Sequence, residues 1–394
     1  MKILFVNQFY WPDVAATAQL MVDLCEDLAR QGHDITVLCS RGQYDDGTGA
    51  PTPKSQTHNG VSIRRLSAAG FGKRSTLGRV IDYASFHLLC GGYLLRNARK
   101  FDIIVTLTTP PLIGLYATWF KGKSKHVCWA MDLHPDIEFE MGLWSRRNPV
   151  WRIFDWLNGL HFRRADAVVA LGGRMMVRLV NKHVQQLRIE VITPWSPGDD
   201  VQAMERSPWR DQQPWADKFV VMYSGNAGLI HTFDAVTAAM RELRDDDRFA
   251  FVFIGGGKRL AEIDDALAVK MPYQPREMLG ESLAAADVHL VTLRDGMSGT
   301  AVPCKLYGIM AAARPTIYLG PADSDTAIDI NQSEAGLTLA TDDAAGLVAA
   351  LRKLADDEAE RKRLAANARA AFEEHHSRVA CCRRWIDLLE SLGR

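Results

Sequence analysis

The chain has 394 residues, more than one hydrophobic core usually organises, so two domains are expected. With 47% hydrophobic and 24% charged residues and a formal net charge of zero, it reads as a soluble globular protein and not a general nucleic-acid binder. Seven scattered cysteines without a CxxC pair or zinc spacing, a start (MKILFVNQF) too short for a signal peptide and no bilayer-length apolar run predict a cytoplasmic protein.

Ile3 to Val6 predicts a buried strand, and the segment 18–31 has Leu20, Met21, Leu24 and Leu28 at helical spacing before Gly32. Ile35 to Cys39 predicts the next strand, but the intervening turn, PDVAATAQ, lacks the GxGxxG of a dinucleotide site. Arg41 to Asn59 is polar and predicts a loop. Val61 to Lys100 then holds Arg64, Arg65, Lys73, Arg74, Arg79, Arg96, Arg99 and Lys100 against one acid, Asp82, with an apolar helical run from Val80 to Leu95. That run is either a core helix with solvated ends or part of a basic, partly apolar surface resting on anionic lipid through residues such as Lys73, Arg74 and Arg79.

Asp102 to Leu107 and His126 to Leu133 predict two further strands, the second delivering Asp132 and His134 to its C-terminal end, where open α/β sheets bind ligands. On a continuing strand these two would share a face. They read either as solvated loop residues or as a carboxylate–imidazole pair able to polarise a hydroxyl or steady positive charge. A helix over 151–164 and a strand over 167–171 follow. The proline-rich, polar stretch 195–217 predicts an interdomain linker.

The second half repeats the scheme. Phe219 to Tyr223 runs into SGNAGLIH, where Gly225 and Gly228 permit a tight loop. Phe251 to Ile254 runs into Gly255, Gly256 and Gly257 followed by Lys258 and Arg259 at a predicted helix start, a pattern suited to phosphate. The stretch 286–319 has the same form: a strand over 288–293, a small-residue loop with Gly296, Ser298, Gly299 and Thr300, then Pro303 and a helix over 305–313 led by Lys305. One such loop is an ordinary βα turn, whereas three at strand ends of one sheet predict a ligand site. From Asp342 the pattern is helical, and the terminal helix is predicted to return to the first domain.

Taken together, KILFVNQFY, GHDITVLCSR, MDLHPD, SGNAGL, FIGGGKR, PYQPREML and VPCKLYGIMAAARP resemble the GT-B glycosyltransferases, most closely retaining family 4 with its exopolysaccharide and colanic-acid-type members. The resemblance implies an α/β chain of GT-B fold, two Rossmann-like domains facing a central cleft. It divides the chain into an acceptor-binding domain over 1–197, a linker over 198–217, a nucleotide-sugar domain over 218–376, and a C-terminal helix over 377–394 packed on the first. Donor contacts fall on Gly225, Asn226, His231, Gly255, Gly256, Lys258, Arg259, Ser298, Gly299, Thr300 and Lys305, and catalysis on Asp132 and His134. His231 stands at the family's phosphate-binding lysine. Thr300 and Gly308 stand at its two glutamates, so Gly308 offers no side chain to a ribose.

The expected reaction is retaining, metal-independent transfer from a UDP- or GDP-linked sugar to a lipid-linked or glycan acceptor, with no cofactor. It would serve cell-surface polysaccharide or glycolipid synthesis, peripherally at the inner face of the cytoplasmic membrane. A nucleotide-sugar epimerase of the same architecture and a catalytically silent sugar-nucleotide scaffold are the alternatives.

Overall fold

The computed structural model describes residues 1–13, 15–41, 52–69, 76–196 and 201–393, with the backbone alone at 76, 77 and 79. The chain divides into two compact units, Met1–Thr193 with Cys381–Arg394, and Pro194–Ala380. Lys73 and Arg74 lie outside the described residues, as does the side chain of Arg79.

The first unit is built on a sheet of eight strands: β1 (Lys2–Val6), β2 (Asp34–Ser40), β3 (Ser55–His58), β4 (Val61–Leu66), β5 (Ile103–Leu107), β6 (Lys125–Ala130), β7 (Ala167–Ala170) and β8 (Ile189–Val191), in the order β3-β4-β2-β1-β5-β6-β7-β8. All pairings are parallel except β3 with β4. The central strands are apolar runs buried on both faces, as a sheet covered by helices on each side requires. The helix Ala16–Arg30 buries Leu20, Met21, Leu24 and Leu28, and Gly32 ends it with φ +86°.

Two expectations fail here. Part of the predicted 41–59 loop is strand β3, a polar edge (SQTH) paired antiparallel to β4 through a turn with positive φ at Asn59 and Gly60. Arg65, counted among the surface cations, is buried. Its guanidinium donates to the carbonyls of Trp11 and Pro53 and to Gln56 Oε1, so it ties the hairpin to the first loop.

The helix Thr76–Asn97 is a core helix on one face only. Phe86, Cys90 and Leu94 recur every four residues and are fully buried, whereas Leu88 and Leu95 on the other face are 77% and 63% exposed. The terminal helix Arg378–Gly393 brings Trp385, fully buried, against Trp129 of β6, ring centroids 4.5 Å apart, while Arg384 bonds Glu190 and the Val191 carbonyl.

The second unit holds β9 (Phe219–Asn226), β10 (Phe249–Gly256), β11 (Val269–Met271), β12 (Val288–Thr292), β13 (Thr316–Leu319) and β14 (Gly336–Leu339), all parallel, ordered β11-β10-β9-β12-β13-β14. The order reverses direction at β9, so the ends of β9, β10 and β12 flank a topological switch point, where open sheets of this kind bind ligands. The stretch predicted as linker is part of this unit's core. Trp209 and Trp215 pack edge to face at 5.7 Å and bury against Val220, Met222 and Val252. Its prolines and charges mimic a linker, but two large aromatics bury more area than a solvated connection leaves exposed.

Candidate functional site

In the second unit, Gly225 lies opposite Gly255 and Asn226 opposite Gly256 at the C-terminal ends of β9 and β10. Gly225, Gly255 and Gly257 have φ of +124°, +128° and +114°, a region only glycine enters without strain. A Cβ on Gly255 would lie 2.3 Å from the Gly225 carbonyl oxygen, and one on Gly257 2.4 Å from that of Ala227. The two loops are joined by backbone bonds, Ala227 N–H to the Gly256 carbonyl (2.7 Å) and Arg259 N–H to the Ala227 carbonyl (3.0 Å). Tyr273, 47% exposed, lies over the same pair, 3.1 to 3.2 Å from where Cβ atoms on Gly255 and Gly256 would sit. The segment after Gly257 is a 3-10 turn, Lys258–Glu262, not the expected α-helix start, so no aligned helix dipole is added there.

Lys305 opens the helix Lys305–Ala311, which has seven residues and no side-chain cap. Two turns sum few peptide dipoles, so the positive charge here is mainly that of the lysine. Its side chain crosses to the β9 loop. Nζ bonds the Tyr223 hydroxyl, sits 3.8 Å from that ring's centroid and 3.5 Å from the Asn226 carbonyl oxygen, and Cε is 3.5 Å from a Cβ placed on Gly225. Burial pulls its pKa down to about 7. The geometry therefore brings Lys305 together with Gly225, Asn226, Gly255 and Gly256.

Other predicted donor residues point elsewhere. His231 is buried, with Nδ1 2.5 Å from the Thr292 carbonyl oxygen. Burial first, then the charge of Lys305, hold its pKa well below the usual value. It occupies the expected lysine's place as a neutral ring. Thr300 is fully buried and donates to the Met297 carbonyl at 2.8 Å, Ser298 donates to that of Asp323 at 3.2 Å, and Gly299 shapes this loop with φ +70°. Arg259 pairs with Glu262 at 2.8 Å, whereas Lys258 is exposed. Gly308 is buried, and a Cβ there would meet Leu283 at 3.3 Å, so the helix packs tightly where the family pattern has a carboxylate.

In the first unit β6 ends at Ala130, short of the predicted Leu133, so Asp132 and His134 do not alternate along a strand. They lie in the loop between β6 and the helix Asp136–Glu140, with a cis His134–Pro135 bond, and Thr108 Oγ1 accepts the Met131 and Asp132 amides at 3.2 and 3.1 Å. The imidazole's partner is Glu138: Nδ1 and Oε1 are 2.7 Å apart. Burial disfavours charge on His134, but the bond and charge of Glu138, with the charges of Asp132 and Asp136, outweigh it and raise its pKa. Glu138 is lowered in turn, burial being overcome by His134, while Asp132 is raised, chiefly by burial. Asp136 pairs with Lys182 at 2.7 Å.

Behind the loop runs a buried polar chain that the sequence reading missed. Asn158 Nδ2 donates to the His134 carbonyl, Asn158 Oδ1 lies 2.8 Å from His161 Nε2, and His161 Nδ1 lies 3.3 Å from Cys128 Sγ. Burial pushes His161 down to about 3, so it is neutral and serves as a spacer. Glu138 was legible as the i+4 partner of a histidine at a helix start. Nothing in the local pattern singles out Asn158 or Tyr223. Among the described residues no group of three or more His, Cys, Asp or Glu is placed to hold a metal ion, and no helix is long and apolar enough to cross a membrane.

Two α/β units, each on a mainly or wholly parallel sheet and the second with glycine loops at its switch point, have the GT-B fold. Sucrose-phosphate synthase from Thermosynechococcus elongatus resembles the chain with a TM-score of 0.80 over 100% of it and 99% of that protein, at 15% identity. HepE of Anabaena, solved in complex with UDP-glucose, gives 0.71 over 99% and 100%, also at 15%. At such identities the likeness shows the fold alone.

Residues 17–195 match the glycosyl transferase 4-like domain. The probable glycosyltransferase WbjE of Pseudomonas aeruginosa is 28% identical over 57% of this chain, the match spanning 58% of that protein's length. The putative colanic acid biosynthesis glycosyl transferase WcaI of Escherichia coli is 25% identical over 82% of this chain and 84% of its own. Residues 17–195 are thus similar to the glycosyl transferase 4-like domain, the chain spans little more than half the length of WbjE, and each of these curated relatives carries a glycosyltransferase name.

Proposed function

We propose that the chain moves a sugar, with retention and without a metal, from a nucleotide-diphosphate sugar bound by the second unit to a lipid-linked acceptor in cell-surface polysaccharide or glycolipid synthesis. The observation that carries this is Lys305, a cation with no carboxylate beside it among the described residues, set against the glycine loops of β9 and β10. As the sugar–phosphate bond breaks, negative charge grows on the diphosphate. A lysine and backbone amides already fixed in place stabilise it without reorganising. His231, Thr300 and Arg259 are committed to protein partners, which leaves Lys305 the main charge for that task.

In the first unit, Glu138 engages Nδ1 of His134, so the acceptor hydroxyl is met by Nε2, with Asp132 nearby as the second charge. The UDP-glucose complex of HepE and the colanic acid role in the name of WcaI support a nucleotide-sugar donor and polysaccharide synthesis. Incubation with labelled UDP- and GDP-sugars and bacterial lipid extract tests the reading. Label in the lipid fraction, its anomeric configuration retained and its yield unaffected by a chelator, is the expected result. An altered free sugar nucleotide would mark an epimerase, and binding without turnover a silent scaffold.

A further inference from the structure

In the first sheet the strand order also reverses, between β1 and β5, so the C-terminal ends of these two strands flank a second topological switch point. The chain leaves β1 there through Asn7 and Gln8, which are 0% and 5% exposed. Backbone bonds knit the spot together. Gln8 N–H donates to the Thr109 carbonyl after β5 at 2.9 Å, and Asn7 N–H to that of Leu38 at 3.2 Å. Thr108 Oγ1 in turn accepts the Asp132 amide after β6 at 3.1 Å. Asn7, Gln8 and Asp132 therefore stand at the ends of strands that span two sheet spacings, roughly 10 Å, room for a sugar ring.

Two side-chain oxygens here are left open. Asn7 Oδ1 and Gln8 Oε1 are buried and, among the described residues, accept no hydrogen bond. Asn7 Nδ2 donates to the Phe9 carbonyl at 2.8 Å, which fixes the amide with its oxygen on the other side. Buried amide oxygens are nearly always bonded, so two in consecutive residues mark a place that a donor fills. An amide oxygen can only accept, and it calls for a ligand rich in O–H groups. A phosphate ester brings charged acceptors instead, and the carboxylate at these ends, Asp132, repels it. The segments 7–10, 108–111 and 131–134 contain no lysine or arginine, and their one histidine, His134, is engaged by Glu138 at 2.7 Å.

We propose that these strand ends bind an uncharged sugar ring at the acceptor's growing end, its hydroxyls donating to Asn7 Oδ1 and Gln8 Oε1. The chain then extends a glycan and does not prime a bare lipid phosphate, so an earlier transfer must place the first sugar on the carrier. This subsite presumes the reading of the first unit as the acceptor side. Its test uses no nucleotide sugar and no turnover, so the two fail separately.

The full chain is examined by saturation-transfer NMR with a panel of methyl hexosides and, separately, with methyl phosphate. At least one hexoside should take up saturation, and methyl phosphate none. Gln8→Met replaces the amide with an apolar chain of similar size. It should weaken hexoside binding roughly three- to tenfold, the loss of one neutral hydrogen bond. The melting temperature of the unliganded variant should stay level or rise, because an open buried acceptor has been removed. Asn7→Leu should weaken binding likewise, but lower the melting temperature through the lost bond to Phe9. A panel in which no hexoside binds, saturation of methyl phosphate, or a Gln8→Met chain that binds hexoside like wild type would overturn the proposal. So would a Gln8→Met chain that melts lower, which would assign the oxygen to an internal water or to another protein group.

Discussion

Lys305 and His134 are each set by neighbours to an unusual protonation balance, in opposite directions. A lysine at about pKa 7 is only partly charged at neutral pH, and an arriving diphosphate favours the charged form. Donor binding above pH 7 should therefore take up a proton, and affinity should fall as pH rises. Calorimetry in buffers of different ionisation heat reads this directly; a proton-independent affinity would remove Lys305 from the phosphate contact.

For His134 the sign is reversed. Its pKa is raised in the fold, so the pair with Glu138 stabilises fully below the ordinary histidine range, and this is lost as pH rises through the raised value. On the acid side the lowered Glu138 sets the limit, its contribution fading as pH falls through its own folded value. Glu138→Gln should shift the pH dependence of turnover to lower pH, and an unmoved profile would separate the pair from the reaction. Asn158→Ala leaves the His134 carbonyl without its donor. It should cost about 1–3 kcal/mol in unfolding free energy and lower kcat with donor affinity unchanged.

At the level of elements, the glycine loops and the terminal helix carry distinct loads. Gly257→Ala must force a Cβ against the Ala227 carbonyl at positive φ, so it should destabilise the chain by about 2 kcal/mol or more in denaturant unfolding. Trp385→Ala empties the contact with Trp129 and should cost about 3–5 kcal/mol. A loss well under 1 kcal/mol would show the terminal helix to be dispensable. These elements were legible because they rest on strong patterns: β-branched runs for buried strands, glycine at their ends, and tryptophan at helical spacing.

What escaped the sequence reading rests on exceptions to those patterns. β4 was hidden because Arg64 and Arg65 read as surface charge, although Arg65 faces inward and is satisfied by backbone carbonyls. β3 is polar throughout, held by its partner strand and not by burial. The linker's tryptophans were masked by prolines around them. Within the site, the glycines and Lys305 could be read from spacing. The neutrality of His231 and the inward turn of Thr300 depend on carbonyls that only the folded chain supplies.

At the scale of the molecule, zero net charge conceals local concentrations, among them Lys305 set against the glycine loops of the second unit. The central claim is that the second unit holds the donor by its diphosphate through Lys305. The most direct test is titration of wild type and Lys305→Ala with a nucleoside diphosphate and with its free nucleoside. The diphosphate should lose about 1.5–3 kcal/mol of binding free energy, roughly ten- to 150-fold in affinity, while the nucleoside binds both proteins alike. Equal loss for the two ligands, or none for either, would contradict the account.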